Sequence, residues 1–197
     1  FVPDAAELYR DRRTFIDMEY LPEKLCGEHR PGHFRGVYTI VAKLFNIIQP
    51  DFAVFGQKDI QQAITIEKMV QDLNFPLEII IAPIVREPDG LAMSSRNVHL
   101  SPDERRRAAA IHAALTAAES LITGGERETS RIERSVRDTL SSAGAPDAVD
   151  YVSLVDYATL HPTERITGKS VLAVAAWFGK TRLIDNMIIR ENGACVY

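Results

Sequence analysis

Apolar positions in this chain first recur at helical spacing. Val37, Ile40, Val41, Leu44, Phe45 and Ile48 fall at i, i+3, i+4, i+7, i+8 and i+11, one stripe of a helix that Pro50 ends. Asp51–Phe55 is then a short apolar run closed by Gly56 and reads as a strand. Ile60, Ile64, Met69, Val70 and Leu73 belong to a second helix over 59–73, broken by Asn74 and Pro76, and the Ile-rich run Leu77–Ala82 reads as a buried strand. Helix, strand, helix, strand with short links is a parallel α/β pattern. The helix over 59–73 supplies the crossover that a parallel pair requires. Upstream, Asp4–Tyr9 reads as a helical turn capped by Asp4, and Thr14–Asp17 as a short strand. Leu21–Gly36 reads as irregular, with Pro22, Gly27, Pro31, Gly32 and Gly36 as breakers.

The second half has a different rhythm. Residues 83–97 form a linker with Pro83, Pro88-Asp89-Gly90 and the polar cluster Ser94-Ser95-Arg96-Asn97. Ser101, Pro102 and Glu104 make a capping box with proline at the first helical position, opening one Ala-rich helix that stops near Gly124-Gly125. A further helix runs from Thr129 to Ser142. Ala148–Val155, Ser170–Trp177 and Thr181–Ile189 are strand-like, with Gly179-Lys180 where a hairpin turn should lie. The pattern predicts two units: residues 1–84, part of a parallel α/β domain, and residues 85–197, a small α+β domain.

Composition narrows the function classes. A length of 197 residues with 46% hydrophobic and 25% charged residues suits one domain or two small ones. The net charge of −4 argues against nucleic acid as the main partner but leaves room for a local basic pocket. No apolar run approaches the ~18 residues of a membrane-spanning helix, so no membrane partner is expected. Two cysteines, Cys26 and Cys195, are too few for a disulfide framework and point to a cytoplasmic protein. The chain opens Phe1-Val2-Pro3-Asp4, with no initiator Met or signal-peptide pattern, and Phe1-Val2 reads as the end of a strand without its beginning. The expectation is a processed or truncated chain.

Two segments could hold an anion. Phe55-Gly56-Gln57-Lys58-Asp59 sits where a strand ends and a helix begins, the place where open α/β sheets bind ligands. Glycine admits a ligand to the backbone, a helix N-terminus favours anions and Lys58 adds a cation. The alternative is a plain turn with Asp59 as N-cap and Lys58 in solvent; no P-loop pattern is present. Met93-Ser94-Ser95-Arg96-Asn97 offers two hydroxyls and a guanidinium that could grip a polyphosphate, or is simply a polar interdomain loop. Two such segments flanking a domain boundary favour a cleft site. Cys26, His29 and His33 have a zinc-like spacing, but no fourth ligand is evident beyond Glu28, so no metal site is assigned. One of Gln61-Gln62 could bond a polar substrate, or both could lie on a solvated helix face. His99, His112 and His161 read as surface or helix-face residues, Arg105-Arg106-Arg107 as a solvated face and Trp177 as core.

Taken together and in order, Arg30-Pro-Gly-His-Phe-Arg-Gly36, Gln49-Pro-Asp-Phe-Ala-Val-Phe-Gly-Gln-Lys-Asp-Ile-Gln-Gln62, Val85-Arg-Glu-Pro-Asp-Gly-Leu-Ala-Met-Ser-Ser-Arg-Asn97 and Arg182-Leu-Ile-Asp-Asn186 resemble the pantoate–β-alanine ligase family. The resemblance implies a partial Rossmann-like nucleotidyltransferase parallel-sheet domain followed by a small α+β C-terminal lid domain. It implies ATP-dependent condensation of pantoate with β-alanine through pantoyl adenylate, with ATP and Mg²⁺ required and a homodimer expected. It assigns Gly56, Gln57, Lys58 and Asp59 to ATP, Val85 to the adenine end through its backbone, and Met93, Ser94, Ser95 and Arg96 to a KMSKS-like loop over the phosphates. Lys58 and Arg96 carry the catalytic charge; Gln62 and His33, with Arg30 nearby, face pantoate. Two departures stand out. Gln57 occupies a position where the family usually has Glu, and no G-x-x-H-x-G-H occurs in the chain, so it reads as a C-terminal portion lacking the HIGH-like segment. Two other readings remain open: a related nucleotidyltransferase with a different acceptor, and a non-catalytic fragment.

Overall fold

The computed structural model describes residues 2–29 and 32–197; Phe1, Arg30 and Pro31, and the side chains of Glu28 and His29, lie outside the described residues. Helix α1 (Ala5–Tyr9) starts with the Asp4 side chain accepting from the Ala6 N–H, as expected of an N-cap. No strand forms at Thr14–Asp17; the Ile16 N–H donates instead to the Thr39 hydroxyl. Short 3₁₀ turns at Leu21–Glu23 and Leu25–His29 lead to helix α2 (His33–Ile48), which begins four residues before its first apolar stripe residue.

The buried face of α2 is Phe34, Tyr38, Ala42 and Phe45, one step round from the stripe read in the sequence, and Ile48 is exposed. The reason is coverage from one side only. Strand β1 (Phe52–Gly56), helix α3 (Ile60–Asp72) and strand β2 (Glu78–Ala82) follow. β1 and β2 pair in parallel, with Phe52 opposite Glu78 and Gly56 opposite Ala82, as the crossover pattern predicts. Ala53, Phe55 and Ile79 turn inward onto α2 and α3, whereas Phe52, Val54 and Ile80 form an exposed apolar outer face.

The chain beyond β2 forms a four-stranded antiparallel sheet, in order, of β3 (Ala148–Asp156), β4 (Ser170–Phe178), β5 (Thr181–Ile189) and β6 (Cys195–Val196). Gly179 takes the left-handed conformation that the two-residue β4–β5 turn requires. β6 carries no pattern of its own and pairs with Ile188 and Ile189 of β5. The expected single Ala-rich helix is two, α4 (Pro102–Ala108) and α5 (Ala110–Thr123), and α4 carries the full capping box. The break falls where Gly144, just after helix α6 (Thr129–Ala143), passes so close that a Cβ on it would lie 2.4 Å from the Arg107 carbonyl and from Ala110 Cβ.

α5 and α6 cover one face of this sheet, burying Leu154, Leu172, Val174, Leu183 and Met187. The other face meets the first unit: Val171, Ala173 and Ile188 pack with Leu21, Leu25, Ile60 and Ile64. Burial on both faces explains why β4 reads as an uninterrupted apolar run. The 83–97 segment is anchored to this second unit. Arg86 pairs with Asp185, Asp89 with Arg105, and Gly90 lies against His112.

His112 is thus half-buried beneath the loop, in T-shaped contact with Tyr197; desolvation, then the nearby Arg86 charge, hold its pKa below the ordinary histidine value. Gly90 has φ +89°, and a Cβ there would sit 2.1 Å from His112 Cδ2. Gly90→Ala should therefore cost about 1–3 kcal/mol in urea unfolding, from strain and overpacking together. Unchanged stability would show that the loop is not seated on the histidine.

Candidate functional site

A cleft of about 550 Å³ opens between the β1–α3 junction and the antiparallel sheet. Its floor is the β1–α3 junction. β1 ends at Gly56, a 3₁₀ turn runs over Gln57–Asp59, and α3 begins at Ile60. Asp59 makes no side-chain cap bond to α3, and Lys58 is half-buried in the cleft wall, so the alternative of a capped, solvated turn does not hold. His33, Lys58, Asp59, Gln62 and Arg96 all line this cleft, although they span 64 positions of sequence. Gly56 has an ordinary φ of −74°, and among the described residues nothing lies within 4 Å of where its Cβ would be. Neither backbone nor packing demands glycine there; clearance above the turn is what its absence of a side chain provides.

Other residues singled out in the sequence stand off the cleft wall. Gln57 is buried beneath the turn, donating to Asn186 Oδ1 at 3.3 Å and to the Val196 carbonyl at 2.8 Å. The Ser94 hydroxyl accepts from the Arg96 N–H and caps the short 3₁₀ turn Ser95–His99. Val85 and Met93 have exposed side chains and are tied by Met93 N–H donating to the Val85 carbonyl at 2.9 Å. Ser95 is exposed on the same loop. Arg30 and the His29 side chain lie outside the described residues, and among the described residues no three His, Cys, Asp or Glu side chains form a group that could hold a metal.

The two glutamines differ. Gln61 is buried: its Oε1 accepts from the Cys26 N–H, and its Nε2 donates to the Leu21 and Lys24 carbonyls at 3.0 and 2.6 Å. It is a buried bracket for the 21–26 loop at the edge of the cleft, and not a solvated residue. Gln62, one position on, faces the cleft.

The opposite wall comes from the antiparallel sheet and was not anticipated. Trp177 is not core: its indole N–H donates to Asp150 Oδ1 at 2.8 Å at the cleft edge. Asp150 sits at a bulge in β3, the kind of irregularity that re-aims a side chain. Its other oxygen accepts from Arg182 Nε at 2.6 Å, and Arg182 Nη1 lies 3.5 Å from the Cys26 sulfur. Burial opposes the Arg182 charge, yet Asp150, Cys26 and Tyr151 together hold its pKa above the ordinary arginine value. Burial, then the adjacent Cys26, push the Tyr151 hydroxyl well above the usual phenol range, so it stays protonated. Two of the cleft carboxylates are engaged by guanidinium groups, Asp150 by Arg182 and Asp185 by Arg86, while the third, Asp59, lies at the floor next to Lys58. A second, more open cavity of about 780 Å³ shares Arg96, Trp177 and Arg182 with the first. The arrangement suits a polyanion: Lys58 from the β1–α3 turn and Arg96 from the 83–97 segment meet in one partly desolvated cleft.

Comparison with known proteins agrees. A family model described as pantoate–β-alanine ligase matches residues 1–188. Pantothenate synthetase of Moorella thermoacetica is 51% identical over 193 residues, covering 98% of this chain and 68% of that protein. The Pseudothermotoga lettingae enzyme of the same name is 52% identical over 192 residues, 97% and 68% of the two chains. The crystal structure of pantothenate synthetase from Thermus thermophilus superposes with a TM-score of 0.87 at 39% identity, covering 93% of this chain and 67% of that one. Pantoate–β-alanine ligase of Francisella tularensis, complexed with beta-gamma ATP and β-alanine, gives a TM-score of 0.68 at 26% identity over 96% of this chain and 63% of that one. The chain spans about two thirds of the length of these relatives.

The bracket role of Gln61 is open to measurement. Gln61→Leu should cost about 1–3 kcal/mol by urea unfolding, because it strips the part-buried Cys26 N–H of its side-chain acceptor and takes one donor from each of the Leu21 and Lys24 carbonyls. Gln62→Leu should change stability by less than about 0.5 kcal/mol. Equal effects at the two positions would contradict the assignment.

Proposed function

The chain belongs to the pantoate–β-alanine ligase family, and from that premise we propose that its cleft activates pantoate with ATP and passes the acyl group to β-alanine. The observation that carries the proposal is the meeting of His33, Lys58, Asp59, Gln62 and Arg96 in one cleft. In the first step a pantoate carboxylate oxygen attacks the α-phosphorus of ATP, the bond to the β-phosphate breaks, and pyrophosphate leaves with its electron pair. In the second, the amine of β-alanine attacks the acyl carbon, the bond to the adenylate oxygen breaks, and AMP leaves as pantothenate forms.

The turn Gly56-Gln57-Lys58-Asp59 receives the phosphates in this proposal, through its backbone and the Lys58 ammonium. Gly56 gives them clearance, and the α3 N-terminus adds a favourable dipole. Arg96 reaches the polyphosphate from the other unit, on the loop of Met93, Ser94 and Ser95, and Val85 offers its backbone to the adenine. Gln62 and His33 orient pantoate so that its carboxylate lies in line with the α-phosphorus. Charge moves onto phosphate oxygens in the first step, and fixed cations in a desolvated cleft stabilise that charge without reorganising. Mg²⁺ would arrive on ATP, held largely by phosphate oxygens and, of the cleft residues, by the hard oxygen donor Asp59. Its chemistry there is neutralisation of polyphosphate charge.

The domain division is part of the same proposal. Residues 1–84 hold the phosphate turn, and residues 85–197 form a lid that carries Arg96 and excludes water from the hydrolysable adenylate. We also propose a homodimer in the cytoplasm. The free Cys26 and Cys195 are compatible with a reducing compartment, and among the described residues no helix is long and apolar enough to cross a membrane.

Pantoate-dependent exchange of pyrophosphate into ATP by the full-length protein tests this reading. Exchange should require pantoate, and Lys58→Ala should lower it roughly 10²–10³-fold with thermal unfolding little changed. Undiminished exchange in that variant removes Lys58 from the mechanism; exchange without pantoate overturns the assigned acceptor.

A further inference from the structure

Strand β5 carries Asn186 toward the phosphate turn. Its side chain is almost completely buried, at 1% exposure, and every polar atom of it is used. Nδ2 donates to the backbone carbonyls of Gln57 at 2.9 Å and of Lys58 at 3.0 Å. Oδ1 accepts from Gln57 Nε2, which donates also to the Val196 carbonyl of β6. The orientation of both amides is set by these backbone acceptors, since a carbonyl can only accept.

We infer that Asn186 is a positioning residue for Lys58, and that Asn186 and Gln57 together form a buried amide clamp holding the phosphate turn against the C-terminal sheet. The inference rests on the reading of Lys58 given above. Three features carry it. The 3₁₀ turn Gln57–Asp59 has no side-chain cap at its N-terminus, and the Asn186 amide ties its Gln57 and Lys58 carbonyls to the sheet. The clamp acts on the peptide of Lys58 itself, one bond from the Cα that carries the ammonium. Its far end is strand β5, which also presents Arg182 to the cleft, so one strand sets the turn on one wall and a guanidinium on the other. The clamp also accounts for glutamine at position 57, where the family resemblance expects Glu. A carboxylate there would face Asn186 Oδ1 and the Val196 carbonyl with no proton to donate.

A loosened turn misplaces Lys58, and displacement of about 1 Å at a positioning group costs on the order of 100-fold in rate. The experiment is a double-mutant cycle in pantoate-dependent pyrophosphate exchange by the full-length protein. Asn186→Ala should lower kcat about 10–100-fold while the KM for pantoate changes less than about threefold. Combined with Lys58→Ala it should lower the rate no further than Lys58→Ala alone, because both act through one group. Multiplicative losses, or full activity of Asn186→Ala, overturn the inference. Gln57→Met, which removes the amide at similar volume, should give the same non-additive pattern and carries the test if Asn186→Ala does not fold. Full activity of Lys58→Ala is a different result: it removes Lys58 from the reaction and the clamp's catalytic role with it, whereas an inactive Lys58→Ala beside an active Asn186→Ala defeats the clamp alone.

Discussion

Burial of β4 and β5 on both faces is the constraint on which the rest of the molecule depends. On one side α5 and α6 close over Leu172, Val174 and Met187; on the other Val171, Ala173 and Ile188 pack against the 21–26 loop and the start of α3. Each buried aliphatic side chain contributes on the order of 1.5–3 kcal/mol to keeping this sheet in place. Because the first turn of α3 supplies Ile60 and Ile64 to that packing, the turn just before it cannot drift from the sheet. The position of Lys58 is therefore set by hydrophobic contact first and by the Asn186 and Gln57 amides second.

Charge in the cleft follows from the same geometry. Asp150 and Asp185 are largely buried and would be costly alone, so each is met by a guanidinium, Arg182 and Arg86. Arg182 also spans the junction, since its Nη1 reaches the Cys26 sulfur of the first unit. The Arg86–Asp185 pair fastens the root of the loop that carries Arg96. Such pairs add little net stability, but breaking one leaves an uncompensated buried charge, which makes them good fixings for a specific arrangement. With these two carboxylates so occupied, neither competes with a ligand for Lys58 or Arg96.

Much of this was legible in the residues. The parallel pair, its crossover helix, the capping box at Ser101 and the Gly179-Lys180 hairpin all stand where local spacing and turn chemistry place them, because each is decided within a few residues. Local spacing likewise marked Phe55–Asp59 and Met93–Asn97 as segments that could hold an anion. What stayed hidden depends on contacts distant in sequence. Gln61 and Gln62 are identical side chains in adjacent positions, and only the packing of α3 decides which is buried. Trp177 ends an apolar run and so looks like core, yet the strand turns it to the cleft edge beside Asp150. Thr14–Asp17 has strand composition but no partner strand to bond. The Arg182-Leu-Ile-Asp-Asn186 segment was noticed, but a strand's two-residue period alone does not reveal that Arg182 and Asn186 face a cleft built by the other half of the chain. Pairing with residues 128 or more positions away is what gives Asn186 its role.

The central claim is that pantoate is activated by attack of its own carboxylate on the α-phosphorus of ATP. The most direct measurement follows oxygen. Pantoate labelled with ¹⁸O in both carboxylate positions would be turned over with ATP and β-alanine by the full-length protein, and the products weighed by mass spectrometry. One ¹⁸O should appear in AMP and one remain in pantothenate, because the attacking oxygen stays with phosphorus when the amine displaces the adenylate. AMP free of label, with ¹⁸O instead in inorganic phosphate, would contradict the account.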